Sequence, residues 1–263
     1  MQLNRNLSTL ALAIASVTVM SQVHANQDQS AQQTQQTQQN GNANGEVRAI
    51  SEWNYDEIYQ DAGIEADRLM DAEVFGPEGE EIGNIENVLL NEKNQIIAII
   101  AEVGGFWDIG DTHIAVSWEE VELTEDGFQI PVTEDNVDDY ELFGEGSYIT
   151  LHDVDEASQV DDDLATGPRV WKLTDLLDDY ATIDDGIGYG YIENALFTEK
   201  GALQAIVVDP SGEAYGYGPY AYPFYGYGYG WEPGLGAYDI PYTGEEVAEM
   251  EPFDYEEYDG FWD

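Results

Sequence analysis

GNIENVLLNEKNQIIAIIA at positions 83–101 returns as GYIENALFTEKGALQAIVV at 190–208, an offset of 107 residues with no gap. Nine of the nineteen positions are identical, among them Gly83/Gly190, Glu86/Glu193, Asn87/Asn194 and Lys93/Lys200. In the first copy Ile85, Asn87 and Leu89 alternate with Glu86 and Val88, which predicts a strand with two unlike faces. Asn91-Glu92-Lys93-Asn94 is a turn signal, and 96–103 is then an almost unbroken run of Ile, Ala and Val. Such a run predicts a strand buried on both faces. The chain therefore reads as two copies of a hairpin-centred unit of about domain size.

Working outward, 72–75, 113–118 and 127–132 read as further short strands, with a turn at Pro77-Glu78-Gly79-Glu80 and a stop at Gly104-Gly105. Five or six short strands between turn signals predict a small closed β-barrel, since closure removes exposed edges. In the second copy, IAVSWEEV (114–121) is matched to YDIPYTGEEV (238–247) with two extra residues. That match leaves a long insert containing YGYGPYAYPFYGYGYGW (215–231).

The spacing V-x4-G-x2-I-G-x-I-x2-V-L, then I-x-A-I-I-A-x-V-G-G and I-A-V-S-W-x-x-V, running from Val74 to Val121, resembles the PRC-barrel domain. The resemblance implies a mainly β fold of two tandem small PRC-type β-barrels. Short helices flank them, a disordered linker precedes them, and the second barrel carries the Tyr/Gly-rich loop. It also implies an interaction or scaffold module and brings no catalytic residues with it. The second copy departs from the pattern, because Asp209-Pro210-Ser211-Gly212 stands where Gly-Gly is expected.

The expected organisation is a signal peptide at 1–25, a Gln-rich linker and short helix at 26–63, and a first barrel at 64–145. An acidic linker at 146–167, a second barrel at 168–258 and an acidic, aromatic tail at 259–263 follow. Arg5, the apolar stretch 10–20 and Val23-His24-Ala25 have the order of a secretory signal cleaved after Ala25. Periplasmic or secreted localisation follows, with no integral membrane span left after cleavage. Residues 26–45 contain eight Gln and no aromatic, too little apolar surface to offset the entropy of ordering. Ser51 is placed to cap a short helix that would pack Trp53, Tyr55 and Tyr59 on the next domain.

The 263 residues carry 55 Asp and Glu against 7 Lys and Arg, a net charge of -48, and no Cys. Thiol chemistry, disulfides and cysteine-ligated metals are excluded. Nucleic acid and anionic membrane faces are excluded as partners, because both need clustered basic residues. The acids are spread over both barrels, with 23 against two bases in 64–145 and 18 against three in 168–258. Such self-repulsion is tolerable where salt screens it, so adaptation to a salt-exposed bacterial envelope is the first expectation. Low-affinity divalent-cation binding is the second, with Asp161, Asp162, Asp163, Asp184 and Asp185 as candidate ligands. The stretch from Asp153 fails as an EF-hand loop, having Ala157, Ser158 and Leu164 where the loop needs a ligand, glycine and a final acid.

No nucleophile elbow, zinc helix or phosphate loop accompanies His113 or His152. Glu86 and Glu193 are repeated acids, each followed by Asn; paired carboxylates can serve hydrolase chemistry, but duplication explains this repetition better. A non-enzymatic protein without cofactors is expected. Its contact surface is placed on the uncharged aromatic run Tyr215, Tyr217, Tyr220, Tyr222, Phe224, Tyr225, Tyr227, Tyr229 and Trp231. That surface would meet an envelope protein or glycan partner. The rival expectation is an ion-buffering or stress-protective periplasmic protein acting through its carboxylates.

Overall fold

The computed structural model describes residues 47–60, 63–104, 112–133, 135–143, 148–155, 157–161, 164–184, 186–212, 215–258 and 260–262. The expected signal peptide and Gln-rich stretch lie outside these residues. Residues 44–263 form one compact unit, mainly β as expected. After helix α1 (Asp56–Gln60) come β1 (Gly63–Glu65), helix α2 (Ala66–Leu69), β2 (Glu73–Phe75), β3 (Glu81–Asn91) and β4 (Ile96–Val103). β5 (Thr112–Ser117), β6 (Glu122–Thr124) and β7 (Gly127–Gln129) complete the first half. β8 (Tyr148–Ile149), β9 (Ser158–Val160) and β10 (Ala165–Thr166) lie between the halves in sequence. The second half holds β11 (Val170–Lys172), β12 (Tyr180–Ile183), β13 (Ile187–Thr198), β14 (Leu203–Pro210), β15 (Tyr220–Pro223), β16 (Ala237–Asp239) and helix α3 (Gly244–Val247).

The hairpin that dominates the sequence repeat is built identically twice. In β3–β4 the register jumps from Ile85↔Ala101 to Asn87↔Ile100, and in β13–β14 from Ile192↔Val208 to Asn194↔Val207. Glu86 and Glu193 are thus the extra residues of two β-bulges. The Asn that follows each one accepts the next backbone N–H, Val88 at 2.9 Å and Ala195 at 2.8 Å. Gly83 and Gly190 recur because the paired strand leaves no room. A Cβ there would lie 1.9 Å from the Glu102 carbonyl oxygen and 2.1 Å from that of Asp209.

The two halves exchange strands. β1 leads into the first copy yet pairs with β13, Gly63 opposite Thr198. β11 leads into the second copy yet pairs with β3, Val170 opposite Asn91. Adding 107 to one partner and subtracting it from the other converts either pairing into the other, so the halves are related by a pseudo-twofold. Its pivot is the bridge Gln95↔Ala202, flanked by Ile96 N–H to Gly201 C=O at 2.8 Å and Leu203 N–H to Asn94 C=O at 2.9 Å. One continuous apolar core, from Ile64 and Val74 through Trp171 and Phe197 to Tyr238 and Val247, serves both copies.

Closed barrels are not formed. The sheets run β6-β7-β2-β3-β4-β5-β9, with β11 added on β3, and β15-β14-β13-β12-β16, with β1 added on β13. The end strands do not meet, because covering segments occupy their edges. β9 pairs along β5. At β15 the Trp53 indole donates to Ala221 C=O (2.8 Å), and the Tyr55 hydroxyl faces the Ala221 N–H at 3.4 Å. The covers also bury the outer sheet faces. Ile149, Val154, Val160 and Leu164 lie on Leu89, Ala98, Ile100 and Ala115. Ile58, Phe253 and Tyr258, with Trp53, Tyr55 and Tyr59, lie on the equivalent Leu196, Ala205, Val207 and Ala221.

Two expected boundaries therefore change. The stretch expected as an acidic linker contributes strands β8, β9 and β10 and four buried apolar side chains, Ile149, Val154, Val160 and Leu164. A helix forms before the first barrel, but it starts at Asp56, whose N–H donates to Asn54 Oδ1, while Ser51 lies in a separate 3-10 turn and caps nothing; Trp53, Tyr55 and Tyr59 pack on the second half. The acidic tail also returns to the first half, where Trp262 meets Phe128 edge-on at 5.0 Å and donates to Thr124 C=O.

Candidate functional site

The aromatic run is a strand and its flank, not an insert. β15 pairs with β14 as β5 pairs with β4, Tyr222 opposite Ile206 where Val116 is opposite Ile99. IAVSW (114–118) is therefore equivalent to YAYPF (220–224), against the alignment expected from sequence. β16 likewise pairs in parallel with β12 as β7 does with β2, Tyr238 beside Ala181 where Phe128 is beside Val74. A second gapless repeat then emerges at an offset of 110: FQIPVTEDNVDDYELF (128–143) with YDIPYTGEEVAEMEPF (238–253). The shared Ile-Pro-x-Thr was a signal available in the sequence. It was masked by matching 238–247 to the wrong strand.

This placement decides what the rings do. Tyr220, Tyr222, Phe224, Tyr225 and Trp231 are buried, Tyr215 and Tyr227 half-buried. Only Tyr217 and Tyr229 are exposed, at 75% and 39%. The second half uses tyrosine where the first uses aliphatic or phenyl side chains: Tyr189 for Ile82, Tyr220 for Ile114, Tyr222 for Val116, Tyr238 for Phe128 and Tyr242 for Val132. Buried hydroxyls need partners. Tyr189 and Tyr222 bond each other at 2.6 Å, and Tyr225 and Tyr242 at 3.0 Å. Tyr242 donates to Arg48 C=O, Tyr225 accepts from Arg48 N–H, and Tyr238 accepts from Tyr225 N–H. Burial pushes the Tyr189 phenol up to about 12, while its bond to Tyr222 opposes the shift. Burial drives Tyr222 higher still. Trp231 packs edge-on to Trp171 at 5.0 Å. The expected nine-ring contact surface is thus reduced to its two outer rings, because the rest supply the apolar area of a core.

Of the five candidate metal ligands, Asp161 and Asp184 lie among the described residues. Asp161 is exposed and Asp184 accepts from Gly244 N–H at 2.9 Å, a structural tie across the second half. Asp162, Asp163 and Asp185 lie outside the described residues. No group of three or more His, Asp or Glu able to hold a metal occurs among the described residues.

Glu86 and Glu193 sit on different sheets. The Glu86 carboxylate is 3.0 Å from His113 Nε2. The Glu193 carboxyl is raised above its usual range by burial and by Asp209 and Asp178. Beside Glu193 lies Asn194, the one buried polar residue among the described residues. Its amide donates to Glu65 (3.2 Å) and its oxygen faces the Asp67 N–H (3.3 Å). The equivalent Asn87 donates to Thr174 Oγ1 at 2.8 Å. Both asparagines therefore tie a bulge to the segment exchanged from the other half, Asp67 and Thr174 being equivalent positions. The repetition of Glu-Asn has this structural cause. His152 is exposed on the cover.

No helix among the described residues is long and apolar enough to cross a membrane. No curated protein matches the chain. The family model that does match is that of the PRC-barrel domain, over residues 61–137, from the start of β1 to the segment beyond β7.

Proposed function

We propose that the protein is an exported, non-enzymatic binding and scaffold module of the envelope of a salt-exposed bacterium. It is read as two PRC-type units fused into one body, the second unit being 168–258. The observation that carries this reading is the PRC-barrel match over 61–137 on a fold in which the repeated Glu86 and Glu193 serve bulges. Export rests on the order of basic, apolar and small residues in 1–25. Salt exposure rests on the charge of -48, which about 1 M salt would screen to a Debye length of about 3 Å. Of the aromatic run, Tyr217 and Tyr229 are the rings available to a partner.

The test is a pulldown from the native envelope fraction in high salt, with residues 26–263 as bait. A defined protein or glycan retained by the bait supports a binding module. Retention of nothing, together with many weak calcium sites by calorimetry, would transfer the assignment to ion buffering.

A further inference from the structure

The second repeat, 128–143 with 238–253, does more than complete the fold. It places Asp139, Glu141 and Leu142 at positions equivalent to Glu249, Glu251 and Pro252, and each set forms one wall of an open cleft. The first cleft, about 880 Å³, lies between that wall and the cover at 152–158. The second, about 540 Å³, lies between its wall and the cover at 50–59. The pseudo-twofold thus makes the same kind of cleft twice, although the two covers are unrelated in sequence.

Their chemistry is also shared. Acids ring both, and no Lys or Arg lines either among the described residues. The second cleft is lined by the half-buried Trp53, Tyr55 and Tyr59 as well as by its acids. The first has Tyr140 and Phe143, and beside them Ser158, whose buried Oγ has no hydrogen-bond partner. Carboxylates beside aromatic rings suit a cation carried on an apolar stem. A bare divalent ion would make no use of the rings. The chain itself shows the pairing at the edge of the second cleft. The Arg48 guanidinium stands 5.4 Å over Trp53 and is held by both oxygens of Glu57 at 3.0 and 3.2 Å. The exposed Tyr217 is next in sequence to Gly218, which lies against Pro252 of the cleft wall.

We infer that each cleft docks a Lys- or Arg-bearing extended segment of a partner protein, two per molecule. The inference rests on the binding-module reading and names the partner's chemistry. A partner with two such segments, or two copies of one, would gain from the paired arrangement by raised effective concentration.

The experiment is calorimetric titration of residues 26–263 with the acetylated peptide Gly-Arg-Gly-Arg-Gly at about 0.1 M salt, where surface charges still act over about 10 Å. Two peptides are expected to bind. Glu249→Gln with Glu251→Gln should remove one and leave the other, and Asp139→Asn with Glu141→Gln should do the reverse. At the altered cleft, affinity should fall at least tenfold. Glu78→Gln with Glu125→Gln, on two exposed turns away from the clefts, is the control for delocalised attraction to a polyanion. Equal weakening by this control, or an unchanged stoichiometry in the cleft variants, overturns the inference. Circular dichroism of each variant separates lost docking from lost fold. A partner captured in the pulldown but no cleft-specific peptide binding would remove the clefts and keep the module.

Discussion

At the scale of single residues the two halves serve as controls for each other. Tyr222 replaces Val116, and its hydroxyl is satisfied by Tyr189 alone among side chains. Tyr222→Phe leaves the Tyr189 hydroxyl buried without that partner and should cost about 1–3 kcal/mol in urea unfolding. The double variant with Tyr189→Phe should recover much of the loss, because no orphan remains. Asp179 is the opposite case. It occupies the position of Ala72, and its Oδ2 is buried without a partner. Burial, then repulsion from Asp175, raises its carboxyl above the usual range. A raised carboxyl favours the folded state while protonated, and that contribution is lost as pH climbs through the folded value. Asp179→Ala should therefore stabilise the protein at pH 7 by about 0.5–1 kcal/mol after discounting for solvent screening. The gain should vanish below about pH 3, where Asp is protonated in both states. A variant less stable than wild type at pH 7 would show that the carboxylate has a partner in solution.

At the scale of elements the sharpest consequence concerns 215–231. As a loop, its deletion would leave the fold intact. As β15 and five buried rings, its deletion exposes β14 and empties the second half of the core. Loss of cooperative unfolding, seen as a broad thermal transition with retained far-ultraviolet signal, is expected. A sharp transition near the wild-type midpoint would refute the strand assignment. This element also shows what the sequence made legible. The hairpins could be read because bulge, turn and close-approach glycine recur at fixed spacing and each leaves a residue-type signature. β15 could not, because tyrosine alternating with Gly and Pro is also the composition of an exposed low-complexity loop. Burial there depends on hydroxyl partners from β13 and 238–242, which no local pattern reveals. The covers were illegible for the same reason. Val154, Val160 and Leu164 are single apolar residues among acids, and their role follows from the sheet they meet.

At the scale of the whole molecule, strand exchange makes the halves one folding unit. Co-expressed as separate pieces, 26–161 and 164–263 should copurify as a 1:1 complex, because each holds a strand of the other's sheet. Separate elution of two folded monomers would contradict the exchange. The charge acts at the same scale. With a net charge of -48, the melting temperature should rise by several degrees between 0.1 and 2 M NaCl as self-repulsion is screened. A flat response would mean that repulsion is not a term in this protein's stability.

The exchange also sets a clock. Gly63 and its partner Thr198 are 135 residues apart, so β1 has nowhere to go until most of the chain exists. Until Val170–Lys172 is made, the Leu89–Asn91 edge of β3 waits for β11, an unpaired edge of the kind that seeks a neighbour's strand. A nascent chain released early would have its first copy nearly whole and still unfinished. Delivery as an extended polymer, with assembly begun only after the last residue has crossed, avoids that hazard. The threading order that the proposed N-terminal export signal would impose is in this sense a condition the topology itself rewards.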